Sequence, residues 1–169
     1  MNILVTSDGV LQLGDRRFHC ALGKAGVIAA ADKREGDNTT PLGTYPLRQV
    51  FYRPDRVDTP QTLLPCQALT PADGWCDAPK DPKYNQFVRH PYRASAEHLW
   101  RDDHIYDLIV ILGHNDNPVV PGLGSAIFLH IAREGYAGTE GCVALAKPDL
   151  LTVLAAVSPV SQIEIKPKV

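Results

Sequence analysis

Proline and glycine punctuate this chain so often, fourteen and thirteen times in 169 residues, that a bundle of long helices is the wrong expectation. Proline removes a backbone donor and clashes with the preceding helical turn, and glycine costs a helix entropy. Both residues belong in turns, bulges and loops. The pattern favours a loop-rich β or α+β domain. The length fits a single domain, residues 1–169, with a substantial core. The net charge is −2 with no basic block, which argues against nucleic-acid binding driven by phosphate neutralisation.

Between the punctuation lie short apolar stretches. Residues 2–6 and 9–13 flank Asp8-Gly9, a pair suited to a hairpin turn, and Arg16 to Ala21 reads as a third strand. Residues 23–40 read as a long loop and 43–52 as a strand, with Pro46 placing it near an edge or bulge. Residues 54–92 are proline-rich without periodicity, an irregular insertion carrying Trp75, Tyr84 and Asn85. Loops of that length usually serve function, as walls or lids. A short helix is expected over 94–101. Strands are expected over 107–112, 126–132 and 142–145, then a helix opened by Pro148 and a closing strand over 162–165. The architecture is mostly β with one or two short helices.

The first residues hold an apolar run of only Ile3, Leu4 and Val5 before Ser7, Asp8 and Gly9. That is short of an export signal, so a cytoplasmic location is expected. No stretch has the length of a membrane span. The four cysteines, at 20, 66, 76 and 142, lack both the density of a disulfide scaffold and C-x-x-C spacing. A Cys66–Cys76 bridge is conceivable but disfavoured in a reducing compartment.

The chemistry concentrates between Phe128 and Leu145. His130 sits within an apolar strand, and Cys142 follows a glycine-bearing loop ending in Gly141. An imidazole that stabilises a thiolate is the usual means of activating cysteine. Gly141 lets the backbone turn sharply and aim amide N–H groups at one point, as an oxyanion hole requires. Spacing alone leaves a packed thiol and a satisfied core histidine as the competing reading. Arg133 can pair with a substrate carboxylate or remain a solvated surface arginine. His114 can line the cleft or be a plain loop histidine, and Tyr136 can wall it. Thr139 can bond the nucleophile loop through its hydroxyl.

Thr139-x-Gly141-Cys142-Val143 resembles the Ser/Thr-x-Gly-Cys-Ile/Val signature of the L,D-transpeptidase catalytic domain, the YkuD-type family, and His130 matches that family's upstream histidine. Residues 36–45, with Thr40-Pro41-Leu42-Gly43-Thr44-Tyr45, are similar to its Thr-Pro-x-Gly-x-Tyr/Phe segment. The run from Asn115 to His130 resembles a divergent, short branch. Two departures stand out. Ala144 occupies a place where the family often has arginine or asparagine, and the His-to-Cys loop is short. The resemblance implies a β-sandwich-like catalytic domain with Cys142 as nucleophile, His130 as acid–base, and no cofactor or metal. It further implies cleavage of the bond between a diaminoacid and D-alanine in peptidoglycan tetrapeptide stems. With a cytoplasmic location, water becomes the expected acceptor, giving an L,D-carboxypeptidase of muropeptide recycling. Cross-link formation, a metal hydrolase and a non-catalytic murein-binding module are the alternatives. The partners implied are peptidoglycan-derived peptides.

Overall fold

The computed structural model describes residues 1–169. Its strands are β1 (Ile3–Thr6), β2 (Val10–Leu13), β3 (Arg16–Ala21), β4 (Val27–Ala29), β5 (Thr40–Tyr52), β6 (Cys66–Ala68), β7 (Asp73–Cys76), β8 (Phe87–Arg89), β9 (Ala96–His98), β10 (Leu108–Leu112), β11 (Phe128–Ile131), β12 (Val143–Leu145) and β13 (Gln162–Lys166). One α-helix, α1 (Lys147–Ala156), lies between the last two.

The long strand β5 closes the structure. Its first part pairs with β13 and its second with β10, both antiparallel. The sheet order β10-β11-β12-β3-β2-β1-β13-β5 therefore returns to β10 as a mixed barrel. The mostly β architecture expected from the sequence is what the chain adopts, and its sandwich-like character takes the form of this closed barrel. Strand alternation fills the core: Ile3, Val5, Leu11, Leu13, Ile163 and Ile165 all point inward. Leu150, Val153 and Leu154 of α1, at helical spacing, join the same cluster. Pro148 sits in the first turn of α1, where its missing N–H costs no hydrogen bond. No helix is long and apolar enough to cross a membrane.

Three local expectations need correcting. Residues 23–40, read as a long loop, contain β4, whose Val27–Ala29 pairs parallel with Thr40–Leu42. The segment expected as a helix over 94–101 contains strand β9, whose Ala96–His98 pairs antiparallel with Gly74–Cys76. The insertion is also less irregular than its prolines suggest, because β7, β8 and β9 form a separate three-stranded sheet in the order β8-β7-β9. Strands this short carry almost no periodic signal, and pairing partners distant in sequence decide their state. A second apolar cluster fills the space between this small sheet and the barrel. It contains Phe51, Trp75, Tyr106, Phe128 and Cys142.

Candidate active site

Strands β11 and β12 run parallel with His130 opposite Ala144. Because side chains alternate, a residue two places before Ala144 faces the same side of the sheet as His130. That residue is Cys142. Both side chains line a cavity of about 620 Å³. Cys142 is 7 % exposed and His130 4 %, so each is buried yet open to this one cleft.

The glycine before the cysteine is obligatory. Gly141 has φ 137°, and a Cβ there would lie 2.7 Å from the Thr39 carbonyl oxygen. Any larger residue would push the loop off the segment that carries Thr40-Pro41. Thr139 staples the same loop: its hydroxyl donates to the Cys142 carbonyl at 2.7 Å and accepts from the Gly141 N–H at 3.1 Å. The Gly141 amide is thus already used. The Cys142 and Glu140 N–H groups make no hydrogen bond within the protein, so both are donors this loop leaves free.

His130 Nδ1 lies 2.9 Å from the Ile131 carbonyl oxygen. A carbonyl can only accept, so Nδ1 carries the proton and Nε2 presents a lone pair. The sulfur of Cys142 donates to the Ala126 carbonyl at 3.2 Å and accepts from the Phe128 N–H at 3.4 Å. Burial holds the imidazole down to about 4 and pushes the thiol up to about 12, with Glu97 and Glu140 adding to the second shift. The sequence reading expects an ionised sulfur. At rest the folded site instead holds a neutral thiol beside a neutral ring, because both charged forms are desolvated. No hydrogen bond joins the resting thiol to the ring: the sulfur's partners are Ala126 and Phe128.

The other wall comes from the insertion and from the turn before β10. Tyr106 sets its ring edge against the His130 ring, centroids 5.3 Å apart, and donates its hydroxyl to Glu97 Oε1 at 2.6 Å. The half-buried Glu97 carboxyl lines the cleft, and burial raises it to about 7. Asn85 ties insertion to barrel: its Oδ1 accepts from Trp75 Nε1 and the Ala126 N–H, both at 3.0 Å, and its Nδ2 donates to the carbonyls of His114 and Asn115. It therefore fixes the loop whose Ala126 carbonyl holds the thiol. Glu97, Tyr106 and Arg101 were not visible as site residues in the sequence. Asn85 and Tyr84 were seen only as parts of an insertion.

The remaining expected site residues separate. Arg133 and Thr139 line the cleft with Cys142 and His130. Tyr136 does not; its ring packs edge-on against His19 with centroids 4.3 Å apart. His114 is not on the cavity wall either. It is buried against Tyr45, its Nδ1 has no partner, and burial, with Lys33 nearby, holds it down to about 4. No three His, Cys, Asp or Glu side chains converge in a group able to hold a metal ion. All four cysteines are free.

A family model described as the L,D-transpeptidase catalytic domain, YkuD, matches residues 3–165. The chain belongs to that family. No curated protein matches the sequence significantly. Among solved structures, Bd1075 of Bdellovibrio bacteriovorus is similar at 15 % identity and a TM-score of 0.48, over 97 % of this chain and 46 % of that one. The chain thus spans less than half the length of that protein. As a YkuD domain it is of the L,D-transpeptidase type. Its departure at Ala144 has a local reason. That side chain lies directly opposite His130 in the β11–β12 register and is 1 % exposed, so a long polar residue has no space there. The half-exposed Arg133 lies on the cleft wall instead.

Proposed function

We propose that this YkuD domain is a cysteine L,D-carboxypeptidase that removes D-alanine from the diaminoacid of muropeptide tetrapeptides in the cytoplasm. The observation that carries this reading is the placement of Cys142 and His130 on one cavity wall, with Nε2 as the free acceptor. In the reaction His130 Nε2 takes the thiol proton as sulfur attacks the diaminoacid carbonyl. The tetrahedral oxyanion meets the Cys142 N–H. Its collapse breaks the amide C–N bond, the imidazolium returns its proton to the leaving amine, and a thioester remains. Water then adds to the thioester, giving one proton to His130, which passes it to the departing sulfur. The product is the tripeptide acid.

One feature supports water as the acceptor: the four thiols are unpaired, as suits a reducing compartment away from wall cross-links. The test is incubation of pure protein with disaccharide tetrapeptide, read by mass. Tripeptide plus free D-alanine is expected, and Cys142→Ser should lower turnover by about three orders of magnitude or more while leaving binding nearly intact. Cross-linked dimers as the main product would replace the hydrolytic reading with transpeptidation. An unchanged rate in Cys142→Ser would overturn both.

A further inference from the structure

Beside His130 the cleft holds two guanidinium groups that share one carboxylate. Arg101 grips Asp103 through two bonds of 2.8 Å, Nε to Oδ1 and Nη2 to Oδ2. Arg133 reaches the same Asp103 Oδ2 only at 3.4 Å. Glu97 bears on Arg101 as well, but the Arg133 fork is mostly uncommitted. Arg101 is further fixed over the Tyr106 ring, 5.4 Å from its centroid, and that same ring lies against His130. One aromatic side chain therefore sets the spacing between the acid–base and the guanidinium cluster. Both arginines bear on the imidazole strongly enough to help hold it neutral.

We infer that Arg133, positioned by Asp103 and Arg101, reads the free α-carboxylate of the residue that leaves, so that this domain prefers peptides ending in that residue. The inference rests on the carboxypeptidase reading above. Its argument is covalent geometry. The leaving amine must meet His130 Nε2 to receive its proton. In an α-amino acid the carboxylate is only one carbon further from that nitrogen, so it must fall on the His130 side of the thiol. The cationic groups there are Arg133 and Arg101. Lys24 and Lys33 also line the cleft, but Lys33 already donates to Asp37 and to the Arg34 carbonyl, and Lys24, beside Gly138, offers a point charge rather than a fork. A planar, half-exposed guanidinium with free N–H groups is matched to a carboxylate. A peptide amidated at its C-terminus, or continuing into a further residue, would offer no charge to it.

The experiment compares the disaccharide tetrapeptide with its C-terminal D-alaninamide analogue, measured as kcat/KM. The unaltered protein should prefer the free acid by about 10–100-fold, the range of one charge-assisted contact. Arg133→Gln should collapse that ratio toward one, and Arg133→Lys should restore part of it. Asp103→Asn, which unanchors both guanidiniums, should lower the ratio while leaving turnover of the amide nearly unchanged, a split that a merely structural role for Asp103 does not produce. Equal turnover of acid and amide by the unaltered protein, or a ratio unmoved in Arg133→Gln, overturns the inference while leaving the carboxypeptidase reading intact. Absence of any tetrapeptide hydrolysis defeats the underlying reading instead.

Discussion

The two walls of the cleft are held by different kinds of bond. The wall carrying Cys142 and His130 is a backbone product: parallel strands β11 and β12, a loop stapled by Thr139, and a glycine no other residue can replace. The facing wall is held by side chains, with Asn85 bonded to four groups and Tyr106 to Glu97. Backbone ladders fix the direction of a side chain cheaply, and that suits a nucleophile and its base. Side-chain lattices are adjustable residue by residue, and that suits the groups that choose a substrate. If the division is right, changes on the first wall abolish chemistry with little loss of fold. Changes on the second wall alter stability, selectivity or pH response more than they alter the chemical step.

The largest effect is expected from His130→Gln. Loss of the proton carrier should lower kcat by about 10²–10⁴. The same variant tests the ring's buried state. A histidine whose folded value drops from 6.5 to about 4 is less protonated in the native than in the unfolded chain across that window. Its contribution to stability is present above about 6.5 and lost as pH falls toward 4, at most about 3 kcal/mol. His114 is held down to the same value while Glu97, raised to about 7, opposes both, so the Gln variant should lose most of the net acid-side slope between about 6.5 and 4.5. Urea unfolding at pH 7, 6, 5 and 4 reads this directly. An unchanged slope means that His130 is protonated in the folded protein.

A smaller effect, and one of a different kind, is expected from Asn85→Ala. It strands the Trp75 indole N–H, the Ala126 amide and two carbonyls, and each buried group left unpaired costs about 1–3 kcal/mol. The urea midpoint should fall by an amount equivalent to about 4 kcal/mol or more. Turnover should fall by less than about tenfold, because the thiol's neighbour Ala126 shifts but the β11–β12 ladder does not. A loss of catalysis as large as that of His130→Gln, with no loss of stability, would erase the distinction between the walls.

The same division explains which parts could be read from the sequence. Strands β1 to β3, β10 and β13 alternate or run apolar with turn residues between them, and their bounds fall close to those expected. Cys142, His130 and Gly141 stood out because glycine and cysteine after a strand histidine form a local pattern. The second wall has no such pattern. Glu97 lies on a three-residue strand just beyond the proline-rich stretch, in a segment that resembles one short helix. Tyr106 and Arg101 acquire meaning only through residues distant in sequence. Ionisation state was illegible for a further reason: it depends on depth of burial, which no spacing encodes, so an expected thiolate became a buried thiol.

The smallest and most discriminating effect concerns Glu97. Its carboxyl is raised by burial to about 7, so it loses its proton within the range where such an enzyme is assayed. Glu97→Gln keeps the Tyr106 hydrogen bond and the shape of the wall but cannot ionise. The folded protein favours the protonated carboxyl between about 4.5 and 7, so stability from this group is present at acid pH and lost as pH rises through 7; the Gln variant should lack that decline. Catalysis should follow the same logic. At pH 6, where Glu97 is mostly protonated, the variant and the parent should turn over tetrapeptide within about twofold of each other. Above pH 7 the ionised carboxylate adds to the groups that keep the Cys142 sulfur protonated, while the Gln side chain does not. The kcat profile of the parent should therefore show an inflection near 7 that Glu97→Gln removes. An inflection that survives the substitution would belong to another group, and Glu97 would then be only a prop for Tyr106.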